Sequence, residues 1–195
     1  MVGADVRQLQ TRLAALHYSP GVADGQFGQN TLEAVWAFQE IQGLAVTGGA
    51  GPYTRRALAN PRSPDVLVPA GGALRVEIDL SRQVLILYQS SRVALISHIS
   101  SGGGYYYCSP NGSCGYAITP TGDFQTTAYI PGWITVPLGQ MYNPVFFIGT
   151  AYAIHGSASV PLQPVSHGCV RIPVIVAEVF HNLIRIPGTP VYIRR

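Results

Sequence analysis

The residues best equipped for chemistry are a cysteine and two histidines that lie close together along the chain. Ten residues separate His155, which is followed by Gly156, from Ser166-His167-Gly168-Cys169-Val170-Arg171. A free thiol is mostly protonated at neutral pH, and only the thiolate attacks carbonyls well. An imidazole within hydrogen-bond reach can take that proton, leaving the nucleophile beside an imidazolium. Gly168 tolerates backbone angles closed to other residues, which suits a tight turn presenting the sulfur. The amides of His167, Gly168 and Cys169 are then candidates for an oxyanion hole. Together these residues supply the parts of a cysteine acyl-transfer site.

Other readings of the same residues stay open at this point. A lone cysteine is most often a small buried hydrophobe, and a lone histidine a hydrogen-bonded structural residue. His155, His167 and Cys169 are also three of the four ligands a zinc site needs. No carboxylate lies between Asp123 and Glu178 to complete such a site. Residue types alone therefore favour the nucleophile, and no metal is expected.

The chain of 195 residues, 47% of them hydrophobic, is long enough for one large or two small domains with real cores. Its pattern changes partway along. Asp5 is placed to cap a helix carrying Val6, Leu9, Leu13 and Leu16 on one stripe. Asn30 or Thr31 opens a second, with Leu32, Val35, Phe38 and Ile41 inward and Gly43 as its stop. Pro52 suits the first turn of a third, running to about Leu58. Asp24 to Thr31 recurs 23 residues later as Thr47 to Thr54, each a glycine turn feeding a helix. Asn60-Pro61-Arg62-Ser63-Pro64-Asp65 reads as a linker.

Beyond the linker the period becomes two. Leu74, Val76, Ile78 and Leu80 alternate with Arg75, Glu77 and Asp79, as in a half-buried strand. Apolar or β-branched runs at 84–88, 93–100, 124–130, 145–148, 151–154 and 190–193 add further strands. One helix is expected from Pro173 to Leu183. His181 on that helix, and His17 and His98 elsewhere, carry no partner pattern and are expected in packing or solvent contact. The expected architecture is α+β and multidomain: a small all-α three-helix domain at 1–60, a linker at 61–72, and a mostly β domain at 73–195. Each domain is expected to have its own core.

Charge and cysteines narrow the setting. All twelve basic residues are arginines, set against nine acidic residues, and they are scattered. Nucleic-acid binding normally needs a clustered basic stripe, so it is not expected. No apolar run reaches transmembrane length, and Met1-Val2-Gly3-Ala4-Asp5 lacks the basic start and apolar core of a secretory signal. Cys108 and Cys114 flank a Ser-Pro-Asn-Gly-Ser turn, and a disulfide there would leave Cys169 as the odd thiol.

Two resemblances follow. His-Gly, a short variable stretch and Ser-His-Gly-Cys-Val-Arg resemble the signature of the L,D-transpeptidase catalytic domain of bacterial wall enzymes. The likeness extends upstream to 74–80 and 84–88, to Ser100-Ser101-Gly102-Gly103, and to Thr119-Pro120-Thr121-Gly122-Asp123-Phe124. The ten-residue spacing between His155 and Ser166 is short for the family, and the insertion carrying Cys108 and Cys114 lies outside its minimal pattern. The first sixty residues resemble the three-helix peptidoglycan-binding domain, through Val6-x-x-Leu9-Gln10-x-x-Leu13, Asp24-Gly25-x-Phe27-Gly28-x-x-Thr31 and Ala34-Val35-x-x-Phe38-Gln39.

The resemblance implies roles. Cys169 is the expected nucleophile and His155 the expected base, oriented by the Gly156 carbonyl. His167 assists the thiolate or supports the turn, Ser166 holds the turn, and Gly168 with its neighbours lines the oxyanion hole. Arg171 binds a stem-peptide carboxylate or locks the turn through an ion pair. Tyr142, Trp133 and Tyr105-Tyr106-Tyr107 are candidate groove walls. The implied reaction forms 3→3 peptidoglycan cross-links through a Cys169 thioester with release of D-alanine, and needs no cofactor. L,D-carboxypeptidase activity, another peptidoglycan peptidase and a non-catalytic wall-binding protein are the alternatives. A monomer, secreted or associated with the cell wall, working on stem peptides and glycan, is the expected setting.

Overall fold

In the computed structural model, which describes residues 1–110 and 112–195, three helices lead into two five-stranded sheets that share a core. Helix α1 spans Ala4–Ala15, α2 Gln29–Gln42 and α3 Pro52–Ala59. Gly3 rather than Asp5 stands at the first N-cap, so Asp5 meets the helix dipole within the first turn instead of capping it. Helix α2 starts after Gly28, slightly earlier than the Asn30 or Thr31 expected, and ends at the left-handed Gly43 (φ 66°). Pro52 opens α3 as expected.

The internal repeat has a physical basis in two buried glutamines. Gln10 Oε1 accepts from the Gly25 amide at 2.9 Å while its Nε2 donates to the Gln26 carbonyl and Thr31 Oγ1. Gln39 does the same for the second copy, accepting from the Thr47 and Gly48 amides and donating to the Gly49 carbonyl and Thr54 Oγ1. Each glycine turn is thus wrapped around a side-chain amide that satisfies its bare backbone groups.

The strands are β1 Arg75–Asp79, β2 Val84–Gln89, β3 Arg92–His98, β4 Tyr106–Cys108, β5 Cys114–Tyr116, β6 Gly122–Gln125, β7 Ala128–Tyr129, β8 Trp133–Val136, β9 Gly139–Ile148, β10 Tyr152–Ser157, β11 Val170–Pro173 and β12 Pro190–Arg194. One sheet runs β3-β2-β1-β12-β6. The other runs β11-β10-β9-β7, with β8 also paired to β9. Strands β4 and β5 make a separate hairpin. The apolar run at 124–130 is split between the two sheets, because Thr126 turns the chain by pairing with Thr189. Helix α4, Val174–Phe180, starts one residue after Pro173 and passes into a short 3-10 turn at His181–Leu183.

The main core lies between the sheets. Val76, Ile78, Leu85 and Leu87 from one face meet Val145, Phe147, Ile154, Val170 and Ile172 from the other, with Val176 and Phe180 of α4 closing the side. Strand β1 is not half-buried as its alternation suggests. Arg75 and Glu77 are buried on its second face as an ion pair at 2.6 Å.

Nor are the two cores separate. Val84, Ile86, Tyr88 and Ile96 on the outer face of β2 and β3 pack directly with Leu13, Tyr18, Phe38, Ile41 and Leu58 of the helices. Strand β2 is apolar at five successive positions because one face serves each core. The connecting segment is fastened along its length. Gln42 exchanges hydrogen bonds with the Arg62 backbone, and the Glu77 carboxylate accepts from the Leu67 amide at 2.8 Å.

Candidate active site

Strands β10 and β11 run parallel, with Ile154 opposite Val170 and His155 opposite Arg171. Side chains alternate along a strand, so His155 and Arg171 share one face with Ala153 and Cys169, and Ile154 and Val170 point into the core. Cys169 packs beside Met141, Phe146 and Ala153 on that face. Cys169 is the free cysteine, and its residue is partly exposed.

The thiol and the imidazole are both held neutral. Burial lowers the His155 pKa to about 4, opposed by its hydrogen bond to the backbone and reinforced by the Arg171 charge. Its Nδ1 donates to the Gly156 carbonyl at 2.9 Å. A carbonyl can only accept, so Nδ1 carries the hydrogen and Nε2 keeps its lone pair. Burial likewise raises the Cys169 thiol above its ordinary value, against a backbone contact at Ala153 and the Arg171 charge, which lower it. The thiol donates to the Ala151 carbonyl at 3.8 Å rather than to an imidazole. A resting thiolate–imidazolium pair is therefore not the arrangement here. The geometry suits a neutral base acting at the moment of attack.

The turn before Cys169 is tightly specified. Gly168 sits at φ 132°, and a Cβ there would lie 2.9 Å from the Ile118 carbonyl oxygen and 2.7 Å from the Tyr152 ring. Ser166 Oγ donates to the Cys169 carbonyl and accepts from the Gly168 amide at 3.0 Å. The Gly168 amide is thereby removed from the expected oxyanion donors. Among the described residues the His167 and Cys169 amides have no partner and remain free to serve. Thr119 Oγ1 donates to the Gly168 carbonyl at 2.7 Å and accepts from the Gly102 amide at 2.8 Å, a bridge whose role the sequence did not reveal.

His167 is partly exposed and meets the edges of two tyrosines, Tyr107 at 4.7 Å and Tyr105 at 5.6 Å between ring centroids. Burial and the Arg171 charge lower its pKa. Both tyrosines belong to the inserted segment, where Cys108 and Cys114 are disulfide-bonded across the β4–β5 hairpin. The expected Pro110-Asn111-Gly112 turn includes Asn111, which lies outside the described residues. Tyr106 and Tyr116 are exposed on the other side of the hairpin.

Tyr142 is placed apart from the other candidates, and one of the two roles open to Arg171 falls away. Tyr142 stands opposite Gly156 on the α4 side of β10, the side away from His155, where a Cβ on Gly156 would lie 3.1 Å from it. The cause is a bulge in β9 around Asn143 (φ 46°), which re-aims the alternation. Trp133 leans on Tyr142 at 5.1 Å and is half exposed. Arg171 makes no ion pair among the described residues, so the locking role has no partner and its guanidinium faces the site unpaired. His98 is buried, in line with the packing role open to it, and is also bonded to Glu40 and the Pro161 carbonyl oxygen, partners that no sequence pattern marks. No group of three potential metal ligands comes together among the described residues.

Comparison with known proteins bears on the same regions. Residues 73–193 match the model of the L,D-transpeptidase catalytic domain, and residues 2–58 that of a putative peptidoglycan binding domain. The chain is similar to the crystal structure of the L,D-transpeptidase (residues 123–326) from Xylanimonas cellulosilytica. The TM-score is 0.90 at 38% identity, over 99% of this chain and 94% of that one. An L,D-transpeptidase from Stackebrandtia nassauensis shares the fold, with a TM-score of 0.56 at 19% identity over 100% and 92% of the two chains. The N-acetylmuramoyl-L-alanine amidase CwlM of Mycobacterium tuberculosis is 43% identical over 58 residues, covering 30% of this chain and 14% of the amidase. The chain thus spans only a small part of that curated relative. The match over 73–193, which contains the thiol, both imidazoles and Arg171, places this chain in the L,D-transpeptidase catalytic-domain family, with a peptidoglycan-binding-type helical unit ahead of it.

Proposed function

We propose that this chain is a cysteine acyltransferase of the cell wall that forms 3→3 peptidoglycan cross-links. The observation that carries this reading is a free Cys169, just ahead of β11, on the same face of the sheet as a His155 whose Nδ1 donates to the Gly156 carbonyl and so leaves Nε2 with its lone pair. In this account Nε2 takes the thiol proton as the sulfur adds to the carbonyl of the third stem residue. The His167 and Cys169 amides hold the oxyanion. The imidazolium returns the proton to the departing amine, D-alanine leaves, and a Cys169 thioester remains. The side-chain amine of a second stem then attacks the thioester, an amide forms, and the thiol is regenerated. Arg171, with no ion pair among the described residues, is suited to a stem carboxylate, bidentately bound. The unit at 1–60, joined through 61–72 to the catalytic unit at 73–195, would hold the enzyme to peptidoglycan outside the cytoplasm.

Incubation with a soluble disaccharide-tetrapeptide tests this directly. The expected products are free D-alanine and a 3→3 dimer, both absent with Cys169→Ala. D-Alanine with tripeptide and no dimer would make the protein an L,D-carboxypeptidase. Retained D-alanine release in the alanine variant would end the acyltransferase account.

A further inference from the structure

His98 closes β3 with its side chain fully enclosed. Its Nδ1 lies 3.2 Å from both carboxylate oxygens of Glu40 on α2, and its Nε2 lies 3.2 Å from the Pro161 carbonyl oxygen. The Trp36 ring of α2 meets the imidazole edge-on at 5.4 Å. The Pro161 oxygen can only accept, so Nε2 must carry a hydrogen. Nδ1 then donates to the carboxylate, or accepts from it when the acid is protonated. Burial pushes the Glu40 carboxyl up to about 6, opposed by His98. Both contacts can be satisfied in either state. A buried acid and imidazole cost more to enclose than an apolar pair of the same size, so their presence calls for a use.

Pro161 belongs to the loop 158–165, which joins His155-Gly156 to Ser166-His167-Gly168-Cys169. The residues just after His98 grip the same loop and turn. Ser100 Oγ donates to the Gln163 carbonyl at 2.9 Å and accepts from the Val165 amide at 3.2 Å. The Ser101 carbonyl accepts from the Ser166 amide, and the Ser100 and Arg171 backbones bond each other in both directions. The end of β3 is therefore a spine along which the loop is laid, and Glu40 ties that spine to the helical unit.

We infer that Glu40 and His98 are positioning residues: α2 sets, through the imidazole, the loop that spaces the His155 base from the Cys169 nucleophile. This rests on the acyltransferase reading of Cys169 and His155. The helical unit is then part of the catalytic machinery as well as an anchor. Its contribution is geometric, since none of its groups touches the reacting atoms.

Two amide substitutions separate the contacts. Glutamine at position 98 keeps a donor near Nε2 and loses the Glu40 contact, whereas asparagine keeps a group near Nδ1 and loses the Pro161 contact. Carbapenem acylation of the full chain, followed by mass spectrometry at several drug concentrations, gives a maximal rate and a half-saturating concentration. His98→Asn is expected to lower the maximal rate at least about tenfold, since small misplacements of reacting groups are costly, with half-saturation little changed. His98→Gln, which loses the Glu40 contact, is expected to be slowed as well, whereas Glu40→Gln, whose side-chain amide can still bond Nδ1, should keep most of the wild-type rate. Ile96→Val, in the same interface but away from the loop, should match the wild type. Glu40→Ala, with the carboxylate removed, should slow acylation as His98→Asn does, and serves if that variant fails to fold. A wild-type rate in His98→Asn, His98→Gln or Glu40→Ala would overturn the inference. Failure of the wild type itself to acylate would strike at the acyltransferase reading instead, and the two results are read from different samples.

Discussion

In the proposed reaction the Cys169 thiol gives its proton to His155, and burial favours the neutral form of both groups at rest. This has a consequence for pH. Burial holds the His155 imidazole near 4, so it stays unprotonated well below the ordinary histidine value of about 6.5. Protonation removes the base, so acylation should fall on the acid side only as pH approaches about 4. A pH–rate profile of carbapenem acylation checks this, and a limb near 6.5 would mean that the base is exposed or is another group. His155→Ala should slow acylation about a hundredfold or more, while His181→Ala, stacked on Tyr129 away from the thiol, should leave it unchanged. At this scale the sequence was informative where partners are near in the chain. The cysteine, both histidines and the glycines are all within one short segment. Thr119 acts on Gly168 from 49 residues away and Glu40 on His98 from 58, and no local pattern announces either. Tyr142 was named as a groove-wall aromatic without a strand register, and the β9 bulge that sets its side is not visible in the local pattern.

Among the elements, the turn ahead of β11 and the inserted β4–β5 hairpin do the most for the site. Gly168→Ala would press a methyl group against the Ile118 carbonyl oxygen and the Tyr152 ring at a φ that side chains rarely adopt. The expected cost is about 1–3 kcal/mol of stability together with a loss of acylation rate on the order of a hundredfold. Thermal melts and the acylation assay check the two effects. Helices were legible because apolar residues three and four apart and the flanking glycines and prolines act locally. The strands β8 and β11 were not, since β11 is short and follows directly on the Ser166–Cys169 turn, and β8 pairs with a neighbour through half-exposed residues. The half-buried reading of β1 failed because Arg75 and Glu77 neutralise each other inside the protein. Glu77→Ala should therefore destabilise by about 3–5 kcal/mol, as it leaves a buried guanidinium unpaired and frees the Leu67 amide. Denaturant melts would show this, and a loss under about 1 kcal/mol would mean that the pair relaxes into solvent.

For the whole molecule, the change of hydrophobic period correctly marks a helical unit and a β unit but does not make them independent. Val84, Ile86, Tyr88 and Ile96 are shared with the helices, and five successive apolar residues in β2 were the sign of it. A fragment covering 66–195 should thus expose an apolar face and be markedly less stable than the full chain, with aggregation on concentration. Ile86→Ala should cost about 2–5 kcal/mol in the full chain and little in the fragment, where that side chain is already exposed. Equal melting temperatures for fragment and full chain would show that the shared core contributes little.

The central claim is that Cys169 is an acylating nucleophile, and intact mass of the full chain after incubation with a carbapenem at neutral pH tests it most directly. A single adduct of the drug's mass, mapped to Cys169 and absent from Cys169→Ala, is the predicted result. An unmodified wild type under conditions where the thiol still reacts with iodoacetamide, or an adduct that persists in the alanine variant, would contradict it.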